Sequence, residues 1–259
     1  LVPILLTKRK APNFKKISSM KLKEVYKSSP FGVVSSFLIG ISHSAVFSLI
    51  AVYATSMNFS ILEVSIVTFL FAISGAISQW PIGKLSDVLD RRIVIIYTTF
   101  GAALFCFLAI ISSGQMYMPA GLATSKLFFY ICIMCFSFCS LPMFALIFAH
   151  TNDFIPKEKF VAAGAGLQFV FGLGAICGPF MCSLFMEFLG ENGFFIFLII
   201  FHSFIGLFGI YRMQIRESGD NPDSQFAPMP QTITPAGIEL NPSTEPIDEP
   251  NNLNEFKKI

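Results

Sequence analysis

One titratable side chain lies near the middle of a long apolar run. His43 stands in "GISHSAVF", between Ser42 and Ser44. If that run crosses a membrane, an ionisable group at such a depth is costly unless it faces protein or water, so it indicates a functional position. An imidazole can bind a solute or carry a proton near neutral pH. The alternative is a neutral His43 that only hydrogen-bonds to a neighbouring helix.

Other polar side chains in apolar runs are weaker candidates. Gln168 and Gln79 each offer amide donors and acceptors but no charge. We expect Gln168 to be the second candidate for contact with a solute. His202 lies in the last apolar run and is expected to be structural, whereas His150 ends a run and is expected to be solvated.

A charged turn, "GKLSDVLDRR", joins two of the apolar runs at residues 83–92. Gly83 suits the end of a helix, where a residue without a Cβ is tolerated best. Arg91 and Arg92 begin the next helix, where cations are unfavourable. Anionic lipid headgroups or the carboxylates Asp87 and Asp90 must therefore offset their charge. The plainer interpretation is a basic turn at the cytoplasmic surface and no more.

The run 160–186 is rich in glycine. Gly lowers helix stability in water but permits close helix crossings in lipid, and Pro179 permits a bend. We expect a helix-packing role for Gly172, Gly174, Gly178 and Pro179.

These side chains must be positioned by membrane helices. The chain is 54% hydrophobic and only 13% charged, about half the charge of a soluble domain. A span needs roughly 20 apolar residues, and backbone groups in lipid must bond internally. An all-α, polytopic membrane protein is therefore predicted. The expected spans are about 31–57, 62–82, 93–113, 125–149, 160–186 and 193–212.

The flanking segments differ in composition from the spans. Residues 1–6 are expected to be the end of a truncated preceding transmembrane helix, and 7–30 a basic cytoplasmic linker. The proline-rich stretch 213–259 is expected to be a disordered cytoplasmic tail. Fifteen Lys and Arg residues fall on one side of the six spans and one, Lys126, on the other. The positive-inside rule then predicts that both ends of the chain are cytoplasmic.

Enzymatic functions find little support. Cys132, Cys135 and Cys139 share a helix face without a nearby His or charge, so packing is expected rather than a metal site. An intramembrane serine protease needs a converging Ser and His with oxyanion donors, and no Gly-x-Ser-x-Gly occurs. We expect no enzyme activity, no cofactor and no nucleic-acid partner.

The charged turn resembles a signature of the major facilitator superfamily, Gly-x-Leu-(Ala/Gly/Ser)-Asp-(Arg/Lys)-x-Gly-Arg-(Arg/Lys). The positions that match are Gly83, Leu85, Ser86, Asp87, Arg91 and Arg92. Val88 and Asp90 depart from it, as in the weaker copy between spans eight and nine. The apolar stub and basic stretch resemble the junction between the two halves, and residues 1–212 resemble bacterial inner-membrane facilitators of unassigned substrate.

The resemblance implies that the six spans are spans seven to twelve, the C-terminal half of a twelve-helix fold. It implies transport of a small-molecule substrate by alternating access, with proton coupling left open, in the bilayer of an inner membrane. It assigns gating to Gly83, Leu85, Asp87, Arg91 and Arg92, with Asp87 contacting the missing N-terminal six-helix half. A non-transporting membrane sensor or structural protein, and an inactive truncated half, are the alternatives.

Overall fold

The computed structural model describes residues 20–112, 126–217, 219 and 226–229. These residues form helices without any strand. The α-helices are α1 (Leu22–Ser28), α2 (Pro30–Ser56), α3 (Ile61–Val88), α4 (Arg91–Ser112), α5 (Lys126–Ser140), α6 (Met143–Asn152), α7 (Phe160–Leu189) and α8 (Asn192–Ile215), with a 3₁₀ turn at Lys157–Lys159.

Six stretches of the described chain are long and apolar enough to cross a membrane, and α5 with α6 counts as one of them. That span is broken at Leu141 and Pro142, because Pro has no N–H and clashes with the preceding turn. By contrast, α3 and α7 continue through Pro81 and Pro179.

Local sequence explains where two of the helices begin. Ser60 and Glu63 form a reciprocal capping box at the start of α3. At the start of α2, the Ser29 side chain accepts the Gly32 N–H at 3.1 Å, and Pro30 occupies the first helical position. The cap satisfies a donor that would otherwise be left without a partner at the helix end.

Two of the spans, α2 and α7, cross at close range. A Cβ added to Gly174 would lie 2.2 Å from the Phe37 carbonyl oxygen, and one added to Gly178 would lie 2.2 Å from the Ile41 carbonyl oxygen. Gly40 of α2 faces the Phe171 carbonyl in the same way. Gly172 has open space around it, because it lies on another side of α7. The backbones can approach this closely only where the side chain is a hydrogen.

The segments flanking the spans differ in part from the expected linker and tail. Within the expected linker, residues 22–28 form α1, and Val25 is buried. Beyond α8, residues 226–229 lie against the bundle because Phe226 and Met229 give this stretch apolar contacts. The expected helix stub at 1–6 and most of the expected tail lie outside the described residues.

Candidate functional site

His43 belongs to a buried polar cluster that joins three spans. Its Nε2 lies 3.1 Å from both the carbonyl oxygen and the Oγ of Ser140, the last residue of α5. Ser140 Oγ lies 2.8 Å from His202 Nε2 on α8. His202 Nδ1 in turn lies 2.9 Å from the Leu198 carbonyl and 3.3 Å from Ser42 Oγ. The side chains of this cluster are almost completely shielded from solvent.

The carbonyl partners fix the direction of the hydrogen bonds. Because a carbonyl oxygen only accepts, the hydrogen of His43 is on Nε2 and that of His202 is on Nδ1. His202 Nε2 is then free to accept the Ser140 hydroxyl hydrogen. Two neutral imidazoles therefore satisfy the cluster. The carbonyls of the last turn of a helix need partners outside it, and His43 supplies one where α5 ends.

A partly exposed face of α2 begins next to the buried His43. Phe47 packs edge-on against Phe71 of α3 at a centroid distance of 5.4 Å. On the same face, Ser44 packs against α7, and its Oγ is 2.2 Å from where a Cβ of Gly178 would lie. Ser48 lies one turn beyond Ser44 and is exposed. Because α2 packs against both α3 and α7, we call the partly exposed surface of α2 beside these two helices the groove, and Ser44 and Ser48 form a short polar strip on it.

The charged turn holds together the ends of three helices. Arg91, at the start of α4, is only 8% exposed. It pairs with Asp87 on the last turn of α3 at 2.9 Å and with Asp153, which follows α6. It also donates to the Ala149 carbonyl at 3.2 Å. The positive charge at a helix start is thus offset by protein carboxylates.

Arg92 is held by a second carboxylate. The Asp90 side chain accepts the Arg92 backbone N–H at 2.9 Å and pairs with its guanidinium at 2.7 Å. Burial alone would raise the pKa of the Asp90 carboxyl, but hydrogen bonds and charge from Arg92 hold that pKa below its usual range. Arg92 Nη1 also donates to the Arg216 carbonyl at 2.6 Å, which ties α4 to the end of α8.

The remaining sequence candidates are dispersed. Gln168 follows Leu167, whose carbonyl accepts a hydrogen bond from Ser36 at 2.8 Å, and so lies beside the contact of α2 and α7. Leu85 is exposed, whereas Gly83 is buried beneath the ring of Phe226. His150 was expected to be solvated, but it is buried between Phe31 and Phe154. No group of His, Cys, Asp or Glu in the described ranges is placed to hold a metal ion.

Sequence reasoning missed Ser140, Asp153 and the polar strip. Asp153 had a usable signal, because it follows a span on the same side as the charged turn. The strip also had one, since Ser44 and Ser48 are four residues apart and share a helix face. Ser140 had none beyond its position beside Leu141 and Pro142.

Apolar helices of this length, with charges gathered at the helix ends, define a multi-pass membrane protein. The profile of the Major Facilitator Superfamily matches residues 32–246, and the chain belongs to that family.

Curated relatives are similar across the same region. An uncharacterized MFS-type transporter of Yersinia enterocolitica, YE1530, is 23% identical over 201 residues, covering 78% of this chain and 47% of the relative. YfkF of Bacillus subtilis, also an uncharacterized MFS-type transporter, is 26% identical over 191 residues, 71% of this chain and 45% of the relative. The chain thus spans about half the length of these relatives. No solved structure matches it significantly.

Proposed function

We propose that this chain forms one six-helix half of a secondary transporter that moves a small solute by alternating access. The observation that carries the proposal is the polar strip of α2 in the groove between α3 and α7. Only 28% of the most apolar window of each of these two helices is buried, against 44–67% in the other spans. Two such helices beside a polar groove suit a solute cavity that needs a second wall.

The second wall is supplied by another six-helix half. Facilitators rock two halves about a site near the bilayer midplane, and the length of the curated relatives leaves room for such a half. In this proposal Ser44 and Ser48 contact the solute directly, and Gln168 contributes from α7. Hydroxyl and amide groups favour a solute that is recognised by hydrogen bonds.

His43 has an indirect role in the same proposal. It is buried, packs edge-on against Phe171 of α7, and its hydrogen bonds to Ser140 hold the break between α5 and α6. A coupling proton or a solute would reach it only if that break opens. Substitution of His43 therefore tests whether this residue carries a proton or only holds the ends of α5 and α6 in position.

The end of the bundle that carries Arg91, Lys157 and Arg216 is here called the basic end. We propose that it faces the cytoplasm of a bacterial cell, with the helices in the inner membrane. The support is the bias of fifteen basic residues to one across the spans.

Thiol labelling tests the cavity directly. The protein, expressed from its complete gene with Cys177→Ala to remove the exposed native thiol, receives either Ser48→Cys or Leu104→Cys. Both positions are exposed in this chain, but Leu104 is an apolar position on α4, away from the groove. A hydrophilic methanethiosulfonate should label Ser48→Cys at least tenfold faster, and a transported solute should slow that labelling.

Equal protection of the two cysteines would mean that the strip is not in a water-filled cavity, and the transport proposal would fail. Labelling that no solute in a broad panel slows would favour the non-transporting sensor or structural protein.

A further inference from the structure

Four residues beyond α8 are docked on the basic end of the bundle. Residues 226–229, "FAPM", are here called the strap. Met229 is only 4% exposed although it lies outside every helix. It belongs to a buried apolar cluster drawn from α1, α2, α6 and α7, whose other members are Val25, Val33, Ala145, Phe148, Leu167 and Val170.

The other end of the strap reaches the charged turn. The backbone N–H of Phe226 donates to Asp87 Oδ1 at 2.9 Å. Its ring covers Gly83 so closely that a Cβ there would be 2.2 Å from Phe226 Cδ1. The strap therefore contacts both Asp87 and Gly83 of the charged turn.

The composition of the strap suits reversible docking. Phe226 and Met229 supply its apolar side chains, and Pro228 restricts the backbone, which lowers the entropy lost on docking. A tethered segment binds within its own molecule at high effective concentration even when its affinity is weak. The contacts extend from α3 across to α6 and α7, so the strap bridges helices that must separate if this end of the groove opens.

We propose that the strap is an autoinhibitory latch on the basic end. While it is docked, Asp87 is engaged by the Phe226 N–H as well as by Arg91, and the basic ends of α3, α6 and α7 are held together. Release of the strap frees Asp87 for a donor from another element and lets the groove open at this end. The docking of the strap is independent of the proposed function, whereas its effect on transport rests on that function.

Docking is tested first by thiol accessibility in the full chain carrying Cys177→Ala. A hydrophilic maleimide should label Met229→Cys slowly, and Phe226→Ala should raise that rate at least tenfold. Glu217→Cys, exposed just before the strap, is the control and should label quickly with or without Phe226→Ala. Equal rates at Met229→Cys and Glu217→Cys, both in the chain that retains Phe226, would overturn the proposal.

A second pair of variants acts from the other side of the contact. Gly83→Ala places a methyl group where the Phe226 ring lies and should release the strap, giving the same rise in Met229→Cys labelling. Gly172→Ala adds the same methyl group to a site with open space and should leave the rate unchanged. A Gly83→Ala protein with a protected Met229→Cys would contradict the contact.

The latch function is read out without a substrate. In membranes accessible from the basic end, Phe226→Ala should raise the labelling rate of Ser48→Cys several-fold, because the groove opens more often. An unchanged rate with a released strap would leave a docked segment that does not gate, and would overturn the latch. If Ser48→Cys is never labelled, from either side and with or without the strap, the cavity itself is refuted, while the Met229→Cys result still decides docking.

Discussion

Ser140 Oγ and His202 Nε2 lie 2.8 Å apart although 62 residues separate them in the chain. The Oγ of the same serine also lies 3.1 Å from Nε2 of His43, which belongs to a third span. The cluster is placed where α5 stops and α6 begins, so it links the break between these helices to α2 and α8. A polar group in this setting is stabilising only while all of its partners remain.

Removing His202 should therefore destabilise the bundle. In His202→Leu, Ser140 and Ser42 lose a buried partner, and an unsatisfied buried group costs about 1–3 kcal/mol. We expect a lower midpoint of thermal unfolding in detergent for His202→Leu, with partial recovery in His202→Gln. A midpoint equal to that of the unmodified protein would show that the cluster adds no stability.

His43→Gln distinguishes positioning from proton transfer. The amide keeps an N–H that can reach the Ser140 carbonyl but cannot titrate near neutral pH. If His43 only holds the break, uptake by the full-length protein keeps its pH profile between about pH 5 and 8, and His43→Leu loses stability. A shifted pH profile with normal expression of His43→Gln would assign the proton role to this residue.

The helices themselves follow from the sequence, because a lipid environment allows few alternatives to a helix of about 20 apolar residues. The partners of His43, by contrast, could not be predicted from the sequence. Helices that are apolar around most of their circumference carry little information about which face packs inward. The contacts of His43 with Ser140 and His202 are long-range, and no local pattern specifies them. The carboxylates that pair with Arg91 and Arg92 were partly predictable, since Asp87 and Asp90 belong to the turn but Asp153 does not.

Asp153 should matter more for stability than Asp87, although only Asp87 belongs to the signature. The Asp153 side chain is 10% exposed and that of Asp87 is 38% exposed. Loss of a buried partner of a buried cation costs up to about 3–5 kcal/mol, whereas an exposed pair contributes about 1 kcal/mol or less. Asp153→Asn should lower the unfolding midpoint clearly, and Asp87→Asn only slightly.

For solute uptake, in contrast to stability, Asp87 should be the more important of the two carboxylates. Asp87→Asn should impair transport at normal membrane insertion, since it removes the carboxylate to which the resemblance assigns gating, whereas release of the strap alone should make opening easier. Normal uptake by Asp87→Asn at equal expression would remove its gating role and leave Asp87 as part of a basic surface turn.

The crossing of α2 and α7 predicts a contrast between two glycines of one helix. A methyl group at Gly178 would lie 2.2 Å from the Ile41 carbonyl oxygen, so Gly178→Ala must push two backbones apart, at a cost of about 1–3 kcal/mol. Gly172→Ala adds a methyl group in open space, and Ala favours a helix over Gly by up to about 1 kcal/mol. Thermal unfolding should rank Gly178→Ala below the unmodified protein and Gly172→Ala at or above it. Equal midpoints for the two variants would contradict the close crossing.

The orientation in the membrane can be tested at two exposed positions, again with Cys177→Ala. Val88, within the charged turn, is 83% exposed, and Phe188, at the far end of α7, is 80% exposed. Because basic residues are retained on the cytoplasmic side, an impermeant maleimide added to intact cells should label Phe188→Cys. Val88→Cys should be labelled only after the membrane is permeabilised. This pair compares thiols of similar exposure, so a difference in labelling reports the side of the membrane rather than burial. Labelling of Val88→Cys in intact cells would reverse the orientation, and the strap would then lie outside the cell.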